Sequence, residues 1–239
     1  MSADQDELKR AAAVAAVAEL QSGMRIGLGT GTTMSFALDE VARRVHQEGL
    51  RIAGIPTSSR TEARARELGI PLTGFVETES LDIAIDGADE LLPDTLTLIK
   101  GRGGALLRER IVAAAARRFL IAIDQSKVAL RFATRAPVPV EVVPFGHEAT
   151  ARRLSRLGLR PVLRVDSEKK PVTTDSGNLL YDCHDVEAGT DPATLADDLR
   201  RTVGVVDSGI FVGLATEAFV AEAPAVVRRI RPQNSKVNA

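Results

Sequence analysis

No tryptophan occurs in these 239 residues, and aromatic side chains make up only 3% of them. Proteins that bind single-stranded nucleic acid stack bases on aromatics, so that class of partner is not expected. Neither sign of charge is in excess: 31 basic residues stand against 32 acidic, for a formal net charge of −1. A general nucleic-acid or membrane-surface binder carries a marked basic surplus, and the balance here points to neither, while leaving room for a local basic pocket. Cysteine occurs once, at Cys183, which excludes an internal disulfide. It sits in the strand-like run Leu179-Leu180-Tyr181-Asp182-Cys183, where a buried, inert thiol is expected. The histidines His46, His147 and His184 are too far apart to form a metal-ligand spacing, and no metal is expected. No stretch reaches the roughly 20 apolar residues of a membrane-spanning helix. Met1 to Glu7 is acidic and lacks the basic and apolar regions of a secretory leader, so the expected compartment is the cytoplasm.

Hydrophobic residues make up 44% of the chain, enough to fill the core of a main domain with a smaller one attached. The periodicities predict a helix over 6–22, a strand at Met24–Leu28 and, after the turn Gly29–Thr33, a helix of about fifteen residues. A strand at Arg51–Pro56, a helix at Arg60–Leu68 and strands beginning at Ile70–Leu72 and Leu81–Ile85 follow. Thr95–Ile99 reads as a strand, Gly103–Arg118 as a helix and Phe119–Ile123 as a strand. Strands alternating with helices imply right-handed crossovers, hence an α/β fold: a doubly wound, mostly parallel, Rossmann-like sheet covered on both faces.

From about Arg135 the order becomes β-α-β-β-α-β, that of a ferredoxin-like α+β unit. Its predicted pieces are strand Val138–Val143, helix His147–Leu157, strands Pro161–Val165 and Asn178–Asp182, helix Asp191–Val203 and strand Val205–Phe211. The turn Thr174-Asp175-Ser176-Gly177 joins the two middle strands as a hairpin. The expected division is therefore 1–129 with 208–239 as the main domain and 130–207 as the smaller one, with a frayed tail after Pro232.

In a parallel sheet, ligands bind beyond the carboxyl ends of the strands. Three polar loops leave predicted strands there. Gly27-Leu28-Gly29-Thr30-Gly31-Thr32-Thr33 offers bare backbone, hydroxyls and a helix N-terminus, which suit a phosphate; it lacks both the dinucleotide fingerprint and the P-loop ending. Otherwise it is a tight strand-to-helix turn. Asp86-Gly87-Ala88-Asp89-Glu90 sets two carboxylates three residues apart, fit to orient hydroxyls, exchange protons or hold a cation, or simply to cap a turn. Lys100-Gly101-Arg102-Gly103-Gly104-Ala105 places a lysine beside flexible backbone, an arrangement that stabilises a developing oxyanion and is also common in ordinary turns.

The helix after the third loop carries Arg108-Glu109-Arg110. At about 100° per residue these charges span roughly 200°, so they cannot share one solvent stripe. Glu109 has Ala105, Leu106, Val112 and Ala113 one turn away on either side. A carboxylate in that company is either paired with an arginine or held in a pocket with a raised pKa, as a general base near neutrality requires.

Together these segments resemble the type A ribose-5-phosphate isomerases. The likeness runs from Asp6-Glu7-Leu8-Lys9 through Gly29–Thr33, Asp86–Glu90, Lys100–Ala105, Leu107–Arg110 and Asp124-Gln125-Ser126-Lys127 to Pro137-Val138-Pro139-Val140-Glu141-Val142. The resemblance implies interconversion of ribose 5-phosphate and ribulose 5-phosphate in the non-oxidative pentose phosphate pathway, without a cofactor. It implies that Glu109 shuttles a proton between C2 and C1, that Asp86 and Asp89 handle hydroxyls and ring opening, and that Lys100 steadies the enediolate. Thr30, Gly31, Thr32, Thr33, Lys127 and Lys9 would hold the phosphate, and Gly87, Ala88, Gly101, Arg102 and Gly103 would line the rest of the site. Departures from the family pattern are Arg110 for a common lysine, Thr32 for a common serine, and Arg102 in a loop usually built of small residues.

The expected partner is a small sugar phosphate. An exposed edge of the smaller domain suggests a homodimer or homotetramer. Two other readings use the same motifs. A magnesium-dependent phosphate-handling enzyme would take Asp86 and Asp89 as ligands. A sugar-phosphate-binding regulator would need a DNA-reading module, yet the first helix opens with Asp4, Asp6 and Glu7 and no basic helix-turn-helix is apparent.

Overall fold

A computed structural model describes residues 3–232. The expected frayed tail after Pro232 lies outside the described residues. Helix α1 (Ala3–Val17) leads into β1 (Arg25–Leu28), α2 (Thr32–Gln47), β2 (Ala53–Pro56), α3 (Ser59–Glu67) and β3 (Leu81–Asp86). Two short strands, β4 (Glu90–Leu92) and β5 (Thr97–Ile99), precede α4 (Leu106–Ala114) and the long β6 (Ala116–Asp124). The smaller unit is β7 (Val138–Val142), α5 (His147–Arg156), β8 (Arg160–Leu163), β9 (Leu179–His184), α6 (Pro192–Arg201) and β10 (Val205–Ser208). The chain then returns through β11 (Ile210–Phe211), β12 (Glu217–Ala223) and β13 (Val226–Ile230).

The main sheet has the order β13-β12-β6-β3-β1-β2, parallel throughout except for antiparallel β13 at one edge. Its inner strands alternate between two buried faces, as a doubly covered parallel sheet requires. Ile83, Ile85, Leu120, Ala122, Phe219 and Ala221 pack under α1 and α2. Ala84, Ile121, Ile123, Ala218 and Val220 pack with Val112 and Ala113 of α4 and with Leu91, Leu98 and Phe211 of the three-stranded sheet β11-β5-β4. That second face is thus closed partly by strands rather than by helices alone.

The smaller sheet runs β10-β7-β9-β8, all antiparallel, the strand order of a ferredoxin-like unit. Val138, Val140 and Val142 of β7 point to a core with Leu154 of α5 and Leu195 and Leu199 of α6. Cys183 is wholly buried in that core, and burial pushes its thiol up to about 12, so it is inert.

Several expected elements differ in extent. The strand predicted at Ile70–Leu72 is a single bridge, Leu72 to Gly54. The helix predicted over Gly103–Arg118 is shorter, because β6 starts at Ala116 to pair with Leu81, and tertiary pairing overrides the helix preference of the alanine run. The strand predicted over Val205–Phe211 breaks at Gly209: β10 stays in the smaller sheet while β11 crosses to pair with β5. A Cβ at Gly209 would lie 2.1 Å from the Lys100 carbonyl oxygen, so the crossing depends on a bare backbone there.

Candidate active site

Parallel register brings Leu28 level with Pro56 and Ile85, and Asp86 level with Ile121. The loops after β1, β2, β3 and β6 therefore open on one edge. Between them lies a cleft of about 410 Å³ whose lining includes Lys9, Thr30–Thr33, Gly87–Asp89, Lys100–Gly103, Glu109 and Lys127. All the predicted binding residues except Asp86 reach its surface. The carboxylate of Asp86 sits directly behind that surface, 2% exposed.

Asp86 is held from three sides. Its Oδ1 accepts hydrogen bonds from the backbone N–H of Thr30 (3.1 Å) and of Gly87 (2.8 Å), and its Oδ2 lies 2.9 Å from Lys100 Nζ. A Cβ on Gly29 would lie 2.2 Å from Asp86 Oδ1, so the second glycine of the first loop makes room for this carboxylate. Lys100 Nζ also donates to the Gly87 carbonyl at 2.6 Å and lies 3.4 Å from Glu109 Oε2. Glu109, 3% exposed, has no other partner on that oxygen. One ammonium therefore serves two buried carboxylates.

The consequence is electrostatic. Burial pushes the Glu109 carboxyl up to about 8, against the pull of Lys100 and with the push of Asp86 and Asp89. Burial raises Asp86 as well, against the pull of Lys100 and of the N–H groups of Gly87 and Thr30. Burial works against the charge on Lys100, yet the two carboxylates outweigh it and raise its pKa. The cluster thus sets the Lys100–Asp86 pair beside a carboxyl pushed up toward neutrality.

Of the two readings open for Glu109, the structure takes the pocket, with a lysine and not an arginine beside it. Its neighbours turn elsewhere: Arg108 reaches Asp175, while Arg110 pairs with Asp207 and donates to the carbonyls of Ser208 (2.7 Å) and Ile210 (2.9 Å).

In the first loop, the Thr30 hydroxyl is engaged with Thr57, Ser58 and Thr61 at 2.8–3.1 Å, and its N–H is spent on Asp86. Gly31 is the N-cap of α2 with no side-chain cap, which leaves the first turn at Thr32 and Thr33 open to an anion. Lys127 stands in the short 3₁₀ turn Gln125–Lys127 after β6. Lys9, 3% exposed, reaches in from α1 and pairs with Asp6 at 3.0 Å. Asp89 accepts a hydrogen bond from the Arg102 N–H at 3.0 Å. Glu90, the last residue of its motif, is structural: its carboxylate takes the N–H groups of Ala133 and Arg135.

Sequence reasoning missed Gln5 and Arg60, both on the cleft wall. Arg60 follows β2 at the start of α3, so the rule that sites collect at the carboxyl edge was the signal that would have found it.

Fold and cleft define the class: an α/β protein whose cleft, with an open helix N-terminus and a lysine beside a buried carboxyl, suits a small anion. The model of the ribose 5-phosphate isomerase A (phosphoriboisomerase A) family matches residues 53–224. Ribose-5-phosphate isomerase A of Synechococcus sp. (strain JA-3-3Ab) is 51% identical over 219 residues, 92% of this chain and 95% of that protein. Among solved structures, ribose 5-phosphate isomerase A from Methanocaldococcus jannaschii superposes with a TM-score of 0.90 at 36% identity, covering 95% of this chain and 99% of that one. A D-ribose-5-phosphate isomerase in complex with phospho-erythronic acid gives 0.91 at 33% identity, with the same coverage. The chain belongs to the ribose-5-phosphate isomerase A family.

Proposed function

We propose that this chain interconverts D-ribose 5-phosphate and D-ribulose 5-phosphate by proton transfer at Glu109. The observation that carries the assignment is the Glu109 carboxyl, buried in the cleft 3.4 Å from Lys100 with its pKa pushed up to about 8. A proton beside a carbonyl is weakly acidic, so its removal needs a positioned base and an electrostatic trap for the enediolate. Glu109 takes the proton from C2 and returns it at C1. Asp89 serves the hydroxyl proton that passes from O2 to O1, and it assists ring opening with Asp86 supporting from behind. Lys100 and the N–H groups of Gly101 and Gly103 face the negative oxygen. The phosphate rests on Gly31, Thr32 and Thr33 with Lys127 and Lys9, and Gly87, Ala88 and Arg102 close the remaining walls.

On this reading phospho-erythronic acid inhibits the chain, its carboxylate lying where the enediolate oxygens form. The magnesium-dependent alternative is disfavoured because a cation at Asp86 must displace the Lys100 ammonium, 2.9 Å away. A coupled assay for ribulose 5-phosphate, run with and without chelator, tests the function. Equal rates in both are expected; no ribulose 5-phosphate in either would overturn it.

Three coarser expectations stand beside this one. Residues 130–207 form a folding unit distinct from 1–129 and 208–239, checked by limited proteolysis. The chain acts in the cytoplasm without a nucleic-acid partner; no helix among the described residues is long and apolar enough to cross a membrane. It assembles as a homodimer or homotetramer, which light scattering resolves.

A further inference from the structure

Arg164 of the smaller unit hydrogen-bonds to a loop of the active site. Arg164 follows β8, and its guanidinium grips Asp182 of β9 through Nε (2.9 Å) and Nη2 (2.5 Å). The remaining nitrogen, Nη1, donates to the carbonyls of Gly101 (2.9 Å) and Arg102 (3.1 Å), both in the loop that runs from Lys100 to α4. Within that loop, the peptide unit between Gly101 and Arg102 is held at both ends. Its carbonyl takes Arg164 and the N–H of Gly104 (3.0 Å), and its N–H goes to Asp89 Oδ2 (3.0 Å). Among the described residues, the next peptide unit is held only by Arg164, at the Arg102 carbonyl. A trans peptide directs its N–H opposite its C=O. With that carbonyl drawn toward Arg164, the N–H of Gly103 points away from the smaller unit, and Gly103 lines the cleft.

We propose that Arg164 is a positioning residue that keeps the carbonyls of Gly101 and Arg102 out of the cleft and the Gly103 N–H turned into it. Glycine-rich backbone rotates easily: Gly101 and Gly104 both sit at positive φ, 108° and 79°. A carbonyl swung inward would oppose the enediolate just where a donor is needed. A lysine lacks the planar fork and cannot hold Asp182 in two bonds while bridging two carbonyls. This role rests on the reading of the 101–104 loop as the anion site.

The test compares two inhibitors. In Arg164→Ala, kcat is expected to fall by about 10–100-fold with KM changed less than about threefold. The inhibition constant of phospho-erythronic acid rises in step, while competition by inorganic phosphate stays within about twofold, because the phosphate end is untouched. Arg164→Lys falls between wild type and alanine and serves as the sole readout if the alanine variant does not fold. A folded Arg164→Lys or Arg164→Ala with wild-type kcat overturns the role, and so does equal weakening of both inhibitors, which marks general loosening. Lys100→Met, assayed alongside, separates the two levels. If it too retains kcat, the anion site itself is misplaced; if it loses turnover while Arg164→Ala does not, only the role of Arg164 falls.

Discussion

At the amino edge of the main sheet, Glu217 and Glu19 share three arginines. Arg118 lies 2.7 Å from Glu217 and 2.6 Å from Glu19, Arg229 pairs with both, and Arg231 stands 3.5 Å from Glu217. At the carboxyl edge, Asp86 and Glu109 share one lysine. The first cluster has cations in surplus. Burial works against the charge on Glu217, but Arg118 and Arg229 prevail and hold it below the usual carboxylate range. In the second cluster carboxylates are in surplus, and one of them is left with a raised pKa. The two clusters sit at opposite edges of one sheet and differ in two respects: burial is deeper around Glu109, and its carboxylates have fewer cations to share. A satisfied network ties strands together; an undersatisfied one keeps a group ready to change its protonation.

The sharpest way to break this contrast is to remove the reactive carboxyl. Glu109→Gln is expected to lose ~10²–10⁴-fold in turnover, with KM nearly unchanged; near-normal turnover in a folded variant would sink the role. Next comes pH. A base must be deprotonated to act, so kcat/KM should rise about tenfold per pH unit up to about 8 and then level off. The apparent value belongs to the cluster with Asp86 rather than to Glu109 alone. A profile flat between pH 5.5 and 8.5 would contradict the raised pKa.

Cations extend the contrast. Lys127 faces the cleft with no carboxylate partner among the described residues, unlike the arginines around Glu217. Lys127→Ala should raise KM by roughly tenfold, about 1.4 kcal/mol, with a smaller effect on kcat. An unchanged KM counts against a phosphate contact. On the amino edge the outcome reverses: Glu217→Gln should cost ~1–2 kcal/mol of stability and leave kcat/KM within about twofold. Melting curves and the coupled assay check both halves.

The smallest effect is also the most diagnostic. Glu109 has a folded pKa above its unfolded value, so the folded state binds the extra proton between the two. Its contribution to stability is full at low pH and is lost as pH rises through about 8. Glu109→Gln should therefore raise the melting temperature relative to wild type at pH 8.5, and by less at pH 5. An equal difference at both pH values would refute the linkage.

Legibility followed the range of the signals. Alternating apolar runs and glycine turns made the parallel strands and their carboxyl edge readable, since both depend on neighbours a few residues away. β4 was missed because three residues, Glu90–Leu92, are too few to show a period. β12 and β13 went unassigned, although Glu217–Ala221 of β12 is buried throughout. Glu109 could be called buried from its helix neighbours, but not which cation stood beside it. The resemblance places Thr30 at the phosphate, whereas its hydroxyl and N–H are taken up by Thr57, Ser58, Thr61 and Asp86.

What the chain determined by itself was the doubly wound sheet, the ferredoxin-like insertion and the loops that leave β1 and β3 at one edge, because local periodicity and turn chemistry settle those; the Lys100 loop, expected at a strand end of the same sheet, instead leaves β5 of the three-stranded sheet and lines the same cleft. Only the folded structure decided that Lys100 lies between Asp86 and Glu109, that Arg110 turns away to Asp207, and that Arg164 grips the loop from the smaller unit. These pairings join residues distant in sequence, and a side chain's pKa is set by what surrounds it in space.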